Sequence, residues 1–386
     1  MSQTRQFRAP PIICTGVGAT KEVGDNAKQL GKRALIVTDS NLERIGLLAD
    51  IKTSLDAAGV SYSIFDKVVT EPTVEYVEEG LATFREVKAD IIVAVGGGSP
   101  IDTGKAIAAL SSNPGRISDY MGANKIPRVC APLVAIPTTA GTGSEVTPFT
   151  IITNTETDVK MLISSPRILP AVALVDPLMT LKMPRSITAA TGLDALTHAI
   201  EAYTSIRAQP LTDTFALRAI HLISRNIRVA YSHPDDLEAR GNMLMGALQA
   251  GLAFANSSVA LVHGMARPIG AYFHVAHGVS NAVLLPTVIE WSVSGNPNRY
   301  AEIAVAMGEK TEGLTTEESA RKTVSATKRL NSDLQIPTLR GLGIDMAMFE
   351  KVVDKMAADA IASGSPGNNP RKATPEEIIA LYRKAL

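Results

Sequence analysis

Short apolar runs alternate with amphipathic stretches through the first half of the chain, and this alternation most constrains the possible folds. The stretches 41–59 and 73–87 have the 3.6-residue period of helices, and a further helix is predicted around Asp102. Strands that alternate with helices in this way predict a mostly parallel sheet covered by helices on both faces. The apolar runs that predict the buried strands are 33–38, 89–99, 132–144 and 171–177.

The pattern changes near residue 180. Long helical patterns then follow one another, as over 187–205 and 211–232, and β-branched strand runs largely disappear. Prolines and other helix breakers in the segment 177–184 favour a boundary there. The predicted fold class is therefore α/β plus all-α, with a Rossmann-like α/β domain over residues 1–180 and an all-helical domain over residues 181–386.

Bulk properties exclude several classes of protein. The 386 residues contain 38 Lys and Arg against 38 Asp and Glu, so a dedicated nucleic-acid binder, which needs a basic excess, is not expected. The N-terminus has no apolar signal-peptide core, and no apolar run is long enough to predict a membrane span. Cys14 and Cys130 have no metal-binding or redox spacing, which suits a reducing compartment. We therefore expect a cytoplasmic protein with no membrane partner.

Four side chains stand out as metal-ligand candidates. Asp194 and His198 are four residues apart in a predicted helix, so they share one helix face and can reach one ion. His263 and His277 follow, fourteen residues apart. One carboxylate and three imidazoles suit a borderline divalent ion such as Fe²⁺ or Zn²⁺. The alternative is two unrelated helix faces that carry ordinary histidines, since D-x3-H is a common pattern.

Two loops with features of nucleotide binding each follow a predicted strand. The first is the glycine turn 96–99, and the second is the hydroxyl-rich segment 137–145. Glycines let a backbone approach a phosphate, and the N–H groups at a helix start bind anions. A glycine turn alone is equally compatible with a tight strand-to-helix connection. Because both loops lie at carboxyl ends of strands, where open α/β sheets bind ligands, together they favour a nucleotide.

Two charged residues are further candidates for cofactor contacts. Asp39, at the end of the first predicted strand, can accept hydrogen bonds from both adenosine-ribose hydroxyls and would repel a 2′-phosphate, so it favours NAD over NADP. An aspartate N-cap of the next helix is an equally common role for it. Lys160 can reach a ribose or nicotinamide oxygen, although an isolated lysine is more often simply solvated.

Three motifs follow one another along the chain, GGGSPIDTGKAIA, IPTTAGTGSEVTPFTIIT and GLDALTHAIEAY, and the two downstream histidines come after them. With these motifs the chain resembles the iron-containing (group III) alcohol dehydrogenase family nearly end to end. The resemblance implies a hydride transfer between NAD(H) and a small primary alcohol, diol or its aldehyde, in a homodimer or larger homo-oligomer. It also implies a metal, usually Fe²⁺ and sometimes Zn²⁺, in the cleft between the domains. The implied metal ligands are Asp194, His198, His263 and His277, and the predicted cofactor contacts are Asp39, Gly97, Gly98, Ser99, Asp102, Thr138, Thr139, Thr142 and Lys160.

One position departs from the family pattern. Many similar sequences have a second histidine four residues after the first, with a part in the proton path, whereas here that residue is Arg267. An arginine does not titrate at working pH. His274 is a possible replacement, or it is an ordinary wall or surface histidine. Arg267 either favours a substrate with a carboxylate, sulfonate or several hydroxyls or pairs with a protein carboxylate. The predicted catalytic residues are His277, Arg267 and His274.

Other classes of protein explain less of the sequence. Glycerol dehydrogenases and dehydroquinate synthases use a related scaffold, but the lyase needs a Lys and Arg cluster that residues 190–280 lack. A metal hydrolase would account for the histidines and leave both loops without a role. A binding or structural protein gives no reason for a buried carboxylate–histidine cluster, which costs stability unless a metal or partner satisfies it.

Overall fold

The computed structural model describes residues 4–157 and 159–386. The chain forms two compact units, residues 8–183 and residues 184–386, and the residues up to Phe7 group with the second unit. The sequence-based division placed this N-terminal segment in the first domain, and the structure differs because the segment has partners in the second unit. The Phe7 ring stacks on Phe215 with centroids 5.6 Å apart, and Gln209 Nε2 donates a hydrogen bond to the Gln6 carbonyl (3.2 Å).

A parallel six-stranded sheet forms the centre of the first unit, and it confirms the predicted α/β class. The strands of this unit are β1 (Ile12–Thr15), β2 (Arg33–Val37), β3 (Ser61–Phe65), β4 (Ile91–Gly96), β5 (Gly122–Ala123), β6 (Leu133–Pro137), β7 (Phe149–Asn154), β8 (Val159–Ser164) and β9 (Val172–Val175). Among the described residues the parallel sheet has the strand order β1-β9-β6-β4-β2-β3. The four strands predicted from apolar runs correspond to β2, β4, β6 and β9.

Helices cover both faces of this sheet. Alternate residues of β2 point to opposite faces, so Leu35 belongs to one apolar core and Ile36 to the other. The predicted helix over 41–59 is divided in two, since Gly46 between them adopts a left-handed backbone (φ 76°). The helices of this unit are α1 (Val23–Leu30), α2 (Ser40–Arg44), α3 (Ala49–Ala58), α4 (Val74–Glu86) and α5 (Gly98–Ser112).

A small second sheet has the strand order β5-β8-β7, and its strands β7 and β8 follow the second loop of the first unit. β7 and β8 form an antiparallel hairpin in which Ile151 pairs with Leu162 and Thr153 with Lys160. The inward side of this hairpin is tied to α5, since Thr150 Oγ1 donates to the Asp102 carbonyl (2.8 Å). The hairpin therefore fixes the second loop against the helix that the first loop begins.

The described part of the second unit consists of helices joined by short connections, as the sequence predicted. Within the described residues, no single helix is long and apolar enough to cross a membrane, although one helix pair bent by 103°, Leu237–Asn256 with Leu261–Phe273, is long and apolar enough by length and composition alone. The helices are α6 (Arg185–Thr204), α7 (Pro210–Ser232), α8 (Leu237–Asn256), α9 (Leu261–Phe273), α10 (His277–Ser292), α11 (Pro297–Ala306), α12 (Thr316–Asp333), α13 (Met346–Ala362) and α14 (Pro375–Lys384).

Candidate functional site

Helix α6 carries three acidic or imidazole side chains on one face. Asp194, His198 and Glu201 follow one another at spacings of four and three residues, which brings them to the same side of a helix. All three are buried, with 2%, 6% and 3% exposure. Charged groups are rarely buried without partners, so this face needs other groups to satisfy it.

The beginnings of two further helices supply those partners. His263 lies in the first turn of α9, and His277 is the first residue of α10. Their Nε2 atoms lie 3.6 Å and 3.7 Å from Asp194 Oδ1. One potential ligand atom from each of Asp194, His263 and His277 lies within 4.8 Å of the other two. The structure thus brings three of the four predicted metal ligands to one small volume.

His198, the fourth predicted ligand, lies beside this group rather than within it. Its ring stacks on that of His263, with centroids 4.4 Å apart, and on Phe254 at 4.3 Å. Its charged form would also lower the pKa of Asp194, which places the imidazole close to the carboxylate. Its assignment as a ligand stays a prediction.

Glu201 is a site residue that the sequence analysis missed. Its Oε2 accepts hydrogen bonds from His263 Nδ1 (2.6 Å) and from the Ala260 N–H (2.8 Å), and its Oε1 accepts one from the Val262 N–H (2.5 Å). A carboxylate on Nδ1 fixes the imidazole in the tautomer whose Nε2 carries a lone pair. The signal in the sequence was the position of Glu201 three residues after His198, on the same helix face.

Asn281 is a second residue that the sequence analysis missed. It lies one turn after His277 in α10 and is fully buried. Its Nδ2 donates to Asp194 Oδ1 (2.6 Å) and lies 3.1 Å from His277 Nε2. This amide therefore orients the carboxylate and one imidazole relative to each other.

The electrostatics of the cluster favour a cation. Burial opposes ionisation of Asp194, but His198, His277 and His263 together hold the pKa of its carboxyl below the usual value. Burial likewise disfavours a charged His263, yet Glu201 and Asp194 raise its pKa. His263 Nε2 is buried and makes no hydrogen bond among the described residues. Two imidazoles and a carboxylate at this separation fit a divalent transition-metal ion.

The two loops of the first unit lie side by side. β4 and β6 are neighbours, with Gly96 paired to Pro137, and the Thr138 N–H donates to the Gly96 carbonyl (2.9 Å). A Cβ added to Gly98 would lie 3.0 Å from Thr142 Cγ2, so the two loops are in close contact. Gly97, Ser99 and Thr139 are partly exposed beside them. The expectation that both loops meet at one sheet edge agrees with this arrangement.

A buried network of hydrogen bonds connects the second loop to α5. Ser144 Oγ donates to Asp102 Oδ1 (2.6 Å) and accepts a hydrogen bond from Lys105 Nζ (2.8 Å). Lys105 also donates to Thr147 Oγ1 (3.0 Å), and burial lowers the pKa of its ammonium group to about 8. Burial raises the pKa of the nearby Glu145 to about 7. The contacts of Asp102 are thus with the protein, and its role toward a cofactor stays a prediction.

Asp39 and Lys160 each have a protein partner. Asp39 is the N-cap of α2, and its Oδ1 accepts from the Asn41 and Leu42 N–H groups (2.8 and 3.1 Å). Its Oδ2 makes no hydrogen bond within residues 4–157 and 159–386. The contact of Asp39 with a ribose stays a prediction. Lys160 Nζ lies 2.6 Å from Glu71 Oε2.

Arg267, which stands at the position of the second histidine of the family, and His274, its possible replacement, have different surroundings in the structure. His274 is exposed and is the C-cap of α9, with a left-handed backbone (φ 54°). Arg267 lies one turn after His263 in α9 and is only partly exposed, and its Nη1 donates to Ser365 Oγ (3.0 Å). Of the two, Arg267 shares a helix face with a residue of the cluster.

Comparison with known proteins gives matches over almost the whole chain. The family profile described as "Iron-containing alcohol dehydrogenase" matches residues 10–177, and that described as "Fe-containing alcohol dehydrogenase family, C-terminal" matches residues 188–386. A 1,3-propanediol dehydrogenase from Klebsiella pneumoniae is 44% identical, with 98% of each chain covered. An NAD-dependent methanol dehydrogenase from Bacillus methanolicus is 39% identical, with 98% of this chain and 99% of the relative covered.

A solved structure agrees with the sequence matches. The crystal structure of a 1,3-propanediol oxidoreductase superposes with a TM-score of 0.97 at 43% identity, covering 100% of both chains. The chain therefore belongs to the iron-containing alcohol dehydrogenase family, and it is an oxidoreductase of the alcohol dehydrogenase class. The predicted cofactors, NAD and Fe²⁺, agree with this family and with its NAD-dependent relative.

Proposed function

We propose that this enzyme transfers a hydride between NAD(H) and a small primary alcohol, diol or the corresponding aldehyde, with a divalent metal held by the helical unit. The observation that carries the proposal is the convergence of Asp194, His263 and His277 within 4.8 Å in a chain of this family. His198 is proposed as the fourth ligand because its buried ring lies against that of His263. When bound, the ion supplies Lewis acidity toward the reacting oxygen, and the nicotinamide supplies or accepts the hydride.

Several residues of the chain prepare the site for this chemistry. Glu201 holds His263 in one tautomer, and Asn281 keeps Asp194 and His277 beside each other. The His277 Nε2 atom that lies against the Asn281 amide would have to exchange this hydrogen bond for the metal. The side chain of His277 is 40% exposed, against 3% for Asp194 and His263, so substrate access is proposed on the His277 side. Since Arg267 keeps its proton, the alcohol proton passes through water or a cofactor hydroxyl rather than through this side chain.

The proposed cofactor site lies in the first unit. Gly97, Gly98 and Ser99 begin α5, where free N–H groups attract a diphosphate. Thr138, Thr139 and Thr142 line the adjoining loop and supply hydroxyl groups. Asp39 is proposed to bind the adenosine ribose through Oδ2. Lys160 would reach the cofactor by leaving Glu71, to which it is bound through an exposed ion pair of little stability.

A direct experiment tests the proposed function. Protein prepared without air is analysed for metal and then assayed with NADH against a panel of aldehydes and with NAD⁺ against the alcohols. We expect about one Fe²⁺ per chain, stoichiometric NADH oxidation, and loss of activity in air. Oxygen-insensitive activity with zinc would change the metal assignment. Absence of NADH oxidation by every aldehyde, in protein that contains its metal, would contradict the function.

Replacing Asp39 by glycine is expected to relax the preference for NAD over NADP. The substitution removes a carboxylate that would repel a 2′-phosphate, and it also removes the N-cap of α2. Because glycine is itself tolerated at an N-cap, the loss costs only about a few tenths of a kcal/mol of stability. The measurement is the ratio of kcat/KM with NADH to that with NADPH. Asp39→Asn keeps the cap and is the matched control for folding. An unchanged ratio in both variants would remove Asp39 from the ribose site.

The association state and the cellular location are further parts of the proposal. A homodimer or larger homo-oligomer is supported by β1, an edge strand with a 40% exposed Ile12, because edge strands present unpaired backbone groups to a second chain. Sedimentation of a monomer at micromolar concentration would contradict it. A cytoplasmic location is supported by the two free cysteines, which suit a reducing compartment.

A further inference from the structure

Arg267 is a guanidinium with an incomplete set of partners. Its Nη1 donates one hydrogen bond, to Ser365 Oγ (3.0 Å), and Ser365 is itself 6% exposed. No carboxylate lies within 4.0 Å of Arg267 among the described residues, whereas six other arginines have such a partner. The described residues therefore show no ion pair within 4.0 Å between Arg267 and a protein carboxylate.

The surroundings of Arg267 make this arrangement costly. Burial lowers the pKa of its guanidinium, opposed by the more distant charge of Glu201. Arg267 is partly exposed, so water can satisfy part of its guanidinium, but the buried part is destabilising unless an opposite charge or a hydrogen bond satisfies it. It has five N–H donors in a fixed fork, and Ser365 uses one. A partner with two acceptor oxygens would satisfy the fork best.

Glu201 is the carboxylate whose charge acts on Arg267, but it is already committed. Its two oxygens accept hydrogen bonds from Ala260, Val262 and His263. Turning toward Arg267 would leave the first N–H groups of α9 and the imidazole without an acceptor. Glu201 therefore reduces the electrostatic cost of the guanidinium at a distance without pairing with it.

The charges around the cluster leave one positive charge uncompensated. A divalent ion would be balanced by Asp194 and Glu201, the two buried carboxylates of the cluster. The imidazoles bind a metal in their neutral form. Arg267, one helical turn after His263 and about 5–6 Å from it at Cβ, then remains as an extra positive charge. A singly charged anion beside the reacting group would make the site neutral.

We propose that Arg267 is a specificity-determining residue that binds an anionic group of the substrate, a carboxylate or a similar oxyanion, in an aldehyde or alcohol of short chain length. The inference rests on the proposed function, because it assigns the substrate class of the same site. Hydride transfer at the carbonyl carbon is unchanged, and the carboxylate at the other end of the substrate is not altered by the reaction. Ser365 is proposed to orient the guanidinium.

Paired substrates of equal length test this proposal. The kcat/KM values of wild type, Arg267→Gln and Arg267→Lys are compared for 4-oxobutanoate and butanal with NADH. Wild type is expected to favour 4-oxobutanoate by at least about 10-fold, and Arg267→Gln to lose about 10- to 100-fold on it while changing little on butanal. Arg267→Lys should retain part of the preference, since it keeps the charge and loses the fork. Arg218→Gln, which removes an exposed charge on α7, is the matched control.

Binding of unreactive butanoate gives a readout that does not depend on turnover. Calorimetry of the metal-loaded protein is expected to show butanoate binding that Arg267→Gln weakens by about 10-fold or more and Arg218→Gln leaves unchanged. Ser365→Ala should weaken it less. Wild type that reduces no aldehyde would contradict the proposed function, while butanoate binding through Arg267 would still support the anion site.

Three results would overturn the inference itself. Equal losses on 4-oxobutanoate and butanal in Arg267→Gln would show that the residue has no preference for charge. Absence of butanoate binding by the metal-loaded wild type would show that no anion binds there. A raised KM for NADH in Arg267→Gln, with both aldehydes affected alike, would assign the anion to a phosphate of the cofactor instead of the substrate.

Discussion

Replacing His263 by alanine is expected to release the metal and to lower kcat/KM by well over 100-fold, while the α/β unit stays folded. His263 supplies a buried Nε2 atom without a hydrogen bond among the described residues, 3.6 Å from Asp194 Oδ1. Changing an outer partner of a metal ligand costs about 10- to 100-fold, so losing the ligand itself should cost more. Metal content, measured together with kcat/KM on the same preparation, checks the result.

The chain offers a matched control for this variant. His274 lies eleven residues later, at the other end of the same helix, and is exposed. Its exposure at the far end of the helix favours the alternative of an ordinary surface histidine, so His274→Ala should retain full metal content and change kcat/KM by less than about threefold. Circular dichroism and NADH binding would report on the first unit in both variants. Wild-type activity in metal-free His263→Ala would overturn the assignment of His263 as a ligand. Loss of metal in His274→Ala would instead indicate that the metal site includes His274.

The pairing of Asp194 with His198 and the approach of the two loops could be predicted from the sequence because their signals are local. A spacing of four residues on a helix brought Asp194 and His198 together before any tertiary structure was known. The rule that ligand loops follow strand ends placed Gly97 near Thr139, and the loops do lie in contact. The alternation of strands and helices gave the parallel sheet in the same way.

The remainder depended on tertiary packing. Glu201 was missed because its partners are the N–H groups of another helix, about 60 residues later, whose approach no periodicity encodes. Asn281 was missed for the same reason, since its amide bridges α6 and α10. The segment before Arg8 joins the helical unit through Phe7, an interaction between distant parts of the chain. That Arg267 has a hydroxyl and no carboxylate as its partner among the described residues likewise depends on tertiary neighbours, which the sequence does not show.

Replacing Glu201 by glutamine is expected to weaken metal binding by about 10- to 100-fold, although Glu201 is not one of the proposed metal ligands. Its carboxylate accepts three hydrogen bonds, two on Oε2 and one on Oε1. An amide of the same shape has one acceptor oxygen and one donor nitrogen. Whichever way it turns, the donor nitrogen faces an N–H group of the first turn of α9 or the Nδ1–H of His263.

The consequences for stability and for metal binding can be separated. A role limited to helix capping would lower the free energy of unfolding by about 1–3 kcal/mol without changing the intrinsic metal affinity. A role in fixing the His263 tautomer weakens metal binding in the folded protein, because the imidazole can then place its proton on Nε2, the atom that faces Asp194. Metal titration at a temperature where the variant is fully folded distinguishes the two.

Two further variants complete the comparison. Glu290→Gln, on α10, removes a carboxylate that is 40% exposed, and it should change neither the metal dissociation constant nor the unfolding midpoint appreciably. Glu201→Asp keeps the charge with a shorter side chain, so it should recover part of the metal affinity. Wild-type metal affinity in a folded Glu201→Gln protein would show that Glu201 only caps α9. Weakened affinity with partial recovery in Glu201→Asp would establish that a carboxylate three residues beyond His198 positions the ligand His263, which neither helix alone could do.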